Sequence, residues 1–161
     1  MNQKSLFRAF FCLIATACFS LTAAAIEKDS DGYFLIGSTA DLEEFCNLVN
    51  TGDTYACARV TADGIDVTSP IGVGDIVFHY RGHFDGQGHT LNITAEKGGL
   101  FANAQPGCVI SNVNITGTVT ADNGVAAALV NNAVGVTIEN CNSTATINAS
   151  STDTAGGLVG S

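Results

Sequence analysis

The chain has 161 residues, of which 46% are apolar and 13% charged, and its formal net charge is −9 at neutral pH. That is enough for one domain, and it is too apolar and too weakly charged for a disordered segment. The acidic balance repels phosphate backbones and no basic patch offsets it, so nucleic acid is excluded as an expected partner.

Residues 1–25 read as an export signal and not as part of the fold. Lys4 and Arg8 make a positive start, Phe10 through Ala17 an apolar centre, and Ala23-Ala24-Ala25 the small residues a signal peptidase reads. The apolar run is too short for a stable membrane span, and no second run approaches that length. A lipoprotein signal ending at Cys18 is the competing reading. Ala15-Thr16-Ala17 before it lack the usual larger aliphatic residue, which ranks it second. Loss of Lys4 and Arg8 with the leader takes the formal charge from −9 to −11. Four cysteines then remain, Cys46, Cys57, Cys108 and Cys141, in a compartment where disulfides form. None has zinc-site spacing, and neither a metal nor a cofactor is expected.

Tyr33-Phe34-Leu35-Ile36 is the first strand candidate. The spacing then predicts an amphipathic helix over 39–50, with Ser38 or Thr39 as its cap and acids in the first turn. Leu42, Phe45, Cys46 and Val49 share one face, and Asn50-Thr51-Gly52 ends it. Further short strands are expected at Ala56 through Thr61 and, after a turn-rich run to Pro70-Ile71-Gly72, at Ile76-Val77-Phe78. His79 and His83 flank Arg81 in an alternating run that suggests one exposed strand face. Residues 26–83 thus hold the helix and the first strands, and 84–161 form a repeat region.

Gly98-Gly99-Leu100-Phe101, Ala127-Ala128-Leu129-Val130 and Gly156-Gly157-Leu158-Val159 recur at a spacing of about 29 residues. Ile110 through Asn114 matches Ile138 through Asn142 at a slightly shorter spacing, as Thr118-Val119-Thr120 matches Thr146-Ile147-Asn148. Each period holds about three short apolar patches between Gly and Asn turns, with no helical periodicity. The fold expected is therefore all-β: a right-handed parallel β-helix whose open amino-terminal end the helix covers. Asn112 and Asn140 then stack at a turn, one period apart. The chain stops at Ser161 in mid-repeat and reads as a fragment of a longer protein.

These residues resemble the GLUG-motif family of extracellular β-helical, adhesin-like bacterial proteins of Bacteroidota type. Gly157-Leu158-Val159-Gly160 matches the family signature, and Ala128-Leu129-Val130-Asn131 and Gly99-Leu100-Phe101-Ala102 are degenerate copies. The lead-in is similar too: Val49-Asn50-Thr51-Gly52, Val60-Thr61-Ala62-Asp63, Ile65-Asp66, Pro70-Ile71-Gly72, and the stretch Phe84-Asp85-Gly86-Gln87-Gly88-His89-Thr90-Leu91. Gly64 departs from the pattern by separating Asp63 from Ile65. The resemblance implies a fold and an extracellular compartment and does not identify a reaction. Asp153-Thr154-Ala155 also fits the short motif at which Bacteroidota attach O-glycans.

The same fold carries polysaccharide lyases and glycoside hydrolases, which need paired acids or Ca²⁺ ligands on one face. In the repeat region Asp85, Glu96, Lys97, Asp122, Glu139 and Asp153 do not recur at such a spacing. Asp85 is read as capping backbone N–H groups of its turn, and His89 as a packed turn residue. Asp63 and Asp66 lack a third acid for Ca²⁺. No catalytic residue is assigned. Cys46 and Cys57 lie across the turn after the helix: a bridge between them is one expectation, a buried free Cys46 the other. Cys108 and Cys141 fall at different places in the period and are not expected to pair. The function expected is an exported surface or extracellular scaffold for adhesion, binding a glycan or a host or bacterial surface protein. The alternative is the front of a secreted polysaccharide-degrading enzyme or peptidase whose active site lies downstream; a purely structural stalk is the third reading.

Overall fold

The computed structural model describes residues 25–95, 98–121, 124–151 and 153–161. The expected leader, apart from Ala25, and Glu96, Lys97 and Asp122 lie outside the described residues.

The first strand, β1 (Phe34–Ile36), leads into the helix α1 (Thr39–Asn50). Ser38 caps it: its Oγ accepts from the Asp41 N–H at 3.2 Å while its hydroxyl donates to the Asp41 carboxylate at 2.8 Å. At the other end Thr51 donates its N–H and hydroxyl to the Asn47 carbonyl, at 3.0 and 2.7 Å. The strands β2 (Ala58–Val60) and β3 (Ile65–Val67) follow, then a 3-10 turn at Ile76–Phe78. Next come β4 (His83–Asp85), β5 (Thr90–Ala95), β6 (Phe101–Ala104), β7 (Val109–Ser111) and β8 (Asn114–Thr120). The chain continues through β9 (Val125–Ala127), β10 (Val130–Ala133), β11 (Thr137–Glu139), β12 (Asn142–Ser143), β13 (Thr146–Asn148) and β14 (Thr154–Gly156).

The protein is all-β with this single helix among the described residues, and every pairing between named strands is parallel. One sheet runs β1-β2-β4-β7-β11 and a second β3-β5-β8-β12, with β13 also on β8; β6 pairs with β10 and β9 with β14. None closes into a barrel. Partners lie 24, 26, 26 and 28 residues apart, the layers lengthening along the chain: Phe34 beside Ala58, Ala58 beside Phe84, Phe84 beside Ile110, Ile110 beside Ile138. Within a strand alternate side chains face opposite ways, so these small and apolar residues form one inward column.

The core is aromatic where the helix meets the sheets. Phe45 of α1 lies 5.9 Å from Phe34, 6.2 Å from Tyr80 and 6.1 Å from Phe84, and Phe101 stands 5.2 and 5.3 Å from Tyr80 and Phe84. Such pairs add about 0.5–1.5 kcal/mol each beyond burial. Leu42, Phe45, Cys46 and Val49 are all buried, so the apolar face of α1 is the one that meets the strands. The expected strand at Ile76-Val77-Phe78 is instead a 3-10 turn that leaves Ile76 and Val77 exposed. Three apolar residues in a row, without alternation, fit a turn as well as a strand. The His79–His83 run does alternate, with Tyr80 and Gly82 buried and His79, Arg81 and His83 on the other side, but that side is half-buried and not exposed, and the strand itself begins only at His83.

Candidate functional site

Phe84, first in the Phe84–Leu91 stretch, is fully buried. Asp85 Oδ1 accepts from the Gln87 N–H at 3.0 Å and from Asn112 Nδ2 at 2.9 Å. Asn140 Nδ2 donates in turn to Asn112 Oδ1 at 3.2 Å. Asn112 and Asn140 have φ of 55° and 52°, the left-handed region that asparagine tolerates best after glycine. The ladder Asp85–Asn112–Asn140 thus turns the same corner in three successive layers. Gly86 is packed shut beneath it: an added Cβ would lie 2.4 Å from the Asn112 carbonyl oxygen and 2.7 Å from Val113 Cα. Gly88 has φ of 81° and is open to solvent. His89 gives its N–H to the Gly86 carbonyl at 2.8 Å, and its Nδ1 lies 3.3 Å from Asp63. Asp63 also accepts the Thr90 N–H at 2.8 Å; this bond, then His89, holds its carboxyl below the usual range.

Beyond that corner the outward side of β3, β5, β8, β12 and β13 carries ordered polar columns. Asp66 lies beside Asn92 and Asn92 beside Thr116; Thr90 beside Asn114 and Asn114 beside Asn142; Thr94 beside Thr118 and Thr118 beside Thr146. Asp66, Thr94, Asn142 and Thr146 are exposed. Asn114 Nδ2 donates to the Gly88 carbonyl at 2.7 Å, and Asn92 Nδ2 lies 3.4 Å from Asp66 Oδ1. None of these strands carries a lysine, an arginine or an aromatic residue. Two shallow open grooves mark the surface. One, of about 440 Å³, is lined by Asp85, Gln87, Gly88, Asn112 and Asn140, and one of about 470 Å³ by Asp66, Val67, Thr68, Asn92 and Thr94. Together they offer hydroxyls, amides and a few carboxylates at strand spacing.

The signature Gly157-Leu158-Val159-Gly160 serves the backbone. The Leu158 carbonyl accepts from the Leu129 and Val130 N–H groups at 3.1 and 3.0 Å, Val159 bridges Val130, and Gly160 donates to the Val130 carbonyl at 3.0 Å. A Cβ on Gly160 would stand 2.4 Å from Val125 Cγ1. Thr154, in the short glycosylation motif, is exposed on β14.

Cys46 and Cys57 are free thiols, and no bridge joins them. Cys46 donates to the Ser69 carbonyl at 3.3 Å, and burial pushes its pKa up to about 12. Cys57 faces the Tyr55 carbonyl at 3.6 Å and accepts from the His83 N–H at 3.4 Å. Cys108 and Cys141 are free as well. Among the described residues no group of three or more His, Cys, Asp or Glu side chains is placed to hold a metal ion.

Two clusters escaped the reading of the sequence. Asn131 is buried, with Oδ1 accepting from Gly99 N–H at 3.0 Å and Ala127 N–H at 3.2 Å. Its signal was its place after Leu129-Val130, where the other copies carry Ala102 and Gly160. On the outward side of β2, β4 and β7, Tyr33 Oη lies 2.8 Å from His83 Nδ1 and His83 Nε2 3.3 Å from Ser111 Oγ. Arg59 stacks 4.0 Å from the Tyr33 ring centroid and pairs with Asp29 and Asp31. No local motif announces this group, because its members come from four separate segments.

No family model, no curated protein and no solved structure matches this chain.

Proposed function

We propose that residues 26–161 form a right-handed parallel β-helix capped by α1, within an exported surface or extracellular scaffold of the GLUG-motif type. The polar columns of β3, β5, β8, β12 and β13 bind an extracellular glycan or a surface protein. The observation that carries this reading is the register, in which Asn, Thr and Asp recur as straight outward columns through successive parallel strands. Strand packing favours β-branched residues, threonine included, and disfavours Asn and Asp, so the outward Asp66, Asn92, Asn114 and Asn142 are the positions that strand packing does not account for. Amides and hydroxyls suit the hydroxyls of a sugar, and Asp63, Asp66 and Asp85 disfavour an anionic one.

A glycan array probed with the purified chain tests it. Binding to neutral glycans is expected, together with a loss of at least about tenfold on replacing Thr118 and Thr146 by Lys. Far-ultraviolet circular dichroism should be unchanged in that double variant. A folded chain that binds neither glycan nor surface protein, or whose binding survives the two lysines, would overturn the reading.

A further inference from the structure

Six large hydrophobic side chains are exposed among the described residues, and four of them gather in one place: Tyr55 at 71%, Ile76 at 63%, Val77 at 62% and Val73 at 43%. They sit on and beside an excursion from the regular layers. Ile71 bridges Phe101 and Tyr80 bridges Ala104, a step that β6 covers in 4 residues and the earlier layer spends residues 71–80 on. The extra chain is not slack. Asn50 Oδ1 accepts from the Gly72 and Val73 N–H groups at 2.8 and 3.0 Å, and its Nδ2 donates to the Pro70 carbonyl at 3.1 Å. At the far side Arg81 donates to the His79 and Ile76 carbonyls at 2.9 and 3.3 Å. The Arg81 N–H bonds the Thr54 carbonyl at 2.8 Å, which sets Tyr55 beside the excursion.

An apolar cluster held out on an anchored loop marks an interaction surface. Its rim decides the occupant. Asp53 and Asp75 are exposed there and oppose the anionic surface of a lipid leaflet. Three of the four side chains are aliphatic and give a sugar no hydrogen bonds, which leaves the Tyr55 hydroxyl alone among them to bond one. The guanidinium of Arg81 has five N–H donors, and the two carbonyls leave others for a carboxylate. The patch therefore carries both signs of charge around an apolar centre, so that it complements itself when a two-fold axis brings Arg81 of one copy to Asp75 of the other.

We propose that this surface is a contact with a second copy of the chain, independent of the glycan reading. Ile76 and Val77 of one copy pack on Val73 and Tyr55 of the other, and Arg81 of each faces Asp75 across the axis. Sedimentation equilibrium over a concentration series, with and without residues 1–25, tests it. The average mass should rise toward twice that of the monomer in both forms. Ile76→Asp with Val77→Asp should weaken the dimer at least about tenfold, and at a dilution where the wild type is monomeric the thermal midpoint should be unchanged, because both side chains are exposed in the monomer. Asp75→Lys should weaken it as well. Four results would overturn the proposal: a monomer at every concentration, a dimer indifferent to these changes, association lost on removing residues 1–25, or growth beyond the dimer.

Discussion

At Gly86 the backbone leaves no room for a side chain, since the Asn112 carbonyl and Val113 already occupy the space a Cβ would need. Gly86→Ala should therefore cost about 1–3 kcal/mol, the usual range for overpacking, and chemical denaturation would read it. An unchanged midpoint would mean that the corner relaxes freely. The thiols make a second prediction at this scale. Without reductant, all four cysteines beyond residue 25 should take an alkylating label in denaturant. In the folded chain the half-buried Cys57 should label first, because burial holds the thiols of Cys46 and Cys108 far above neutral pH. Two unlabelled cysteines in denaturant would restore a bridge. Individual residues were legible in the sequence where their reason is local. The turn roles of Asp85 and of the repeated Asn112 and Asn140 depend on neighbours one and two residues away, or one period away. Of the two readings of Cys46, the buried free thiol on the apolar helix face is the one the structure shows, since nearness across a turn does not set the geometry that a disulfide needs.

The helix α1 was legible nearly to its ends, because its cap, its apolar face and its stop all lie within one short stretch. What the sequence did not give is the partner of that face. Phe45 touches Phe34, Tyr80 and Phe84, rings from three strand layers, and it is fully buried. Phe45→Ala should destabilise the fold by about 3–5 kcal/mol, whereas Ser38→Ala should cost only about 1 kcal/mol for the lost cap. Thermal or urea unfolding of the two variants distinguishes them, and equal losses would contradict the placing of Phe45 at the centre of the cluster. The pairings of β6 with β10, β7 with β11, β8 with β12 and β13, and β9 with β14 were legible from the repeat, because partners in a parallel ladder repeat the same chemistry at the same depth. The earlier pairings, from β1 with β2 to β5 with β8, fall at 24 or 26 residues and carry no repeated motif. The Ile76–Phe78 turn was not, since its conformation follows from the anchors Asn50 and Arg81, which lie outside it.

Across the whole molecule, carboxylates fix local turns and, at Asp63 and Asp29, also tie segments that are distant in sequence. Asp63 receives the Thr90 N–H and lies against His89. Asp153 receives the hydroxyl and N–H of Ser150, and these bonds lower its pKa. Asp29 is raised by burial, but the Tyr33 N–H, Arg59 and the Asp31 N–H outweigh that and lower it. All three pKa values are depressed on folding. The unfolded chain therefore binds protons more readily than the native one once the pH approaches about 4. The stability these groups contribute is complete above the unfolded carboxylate pKa and is lost as the pH falls through the lower folded values. The free energy of unfolding attributable to them should be flat from neutral pH to about pH 5 and fall below about pH 4, with a modest slope because the groups are solvent-screened. Asp63→Asn should flatten that fall, because it removes one of the groups that must be protonated. Urea denaturation at a series of pH values, on the wild type and this variant, measures both slopes. Superimposable acid limbs would mean that the Asp63 carboxylate contributes nothing to holding β3 against β5, and that the backbone ladder alone joins those layers.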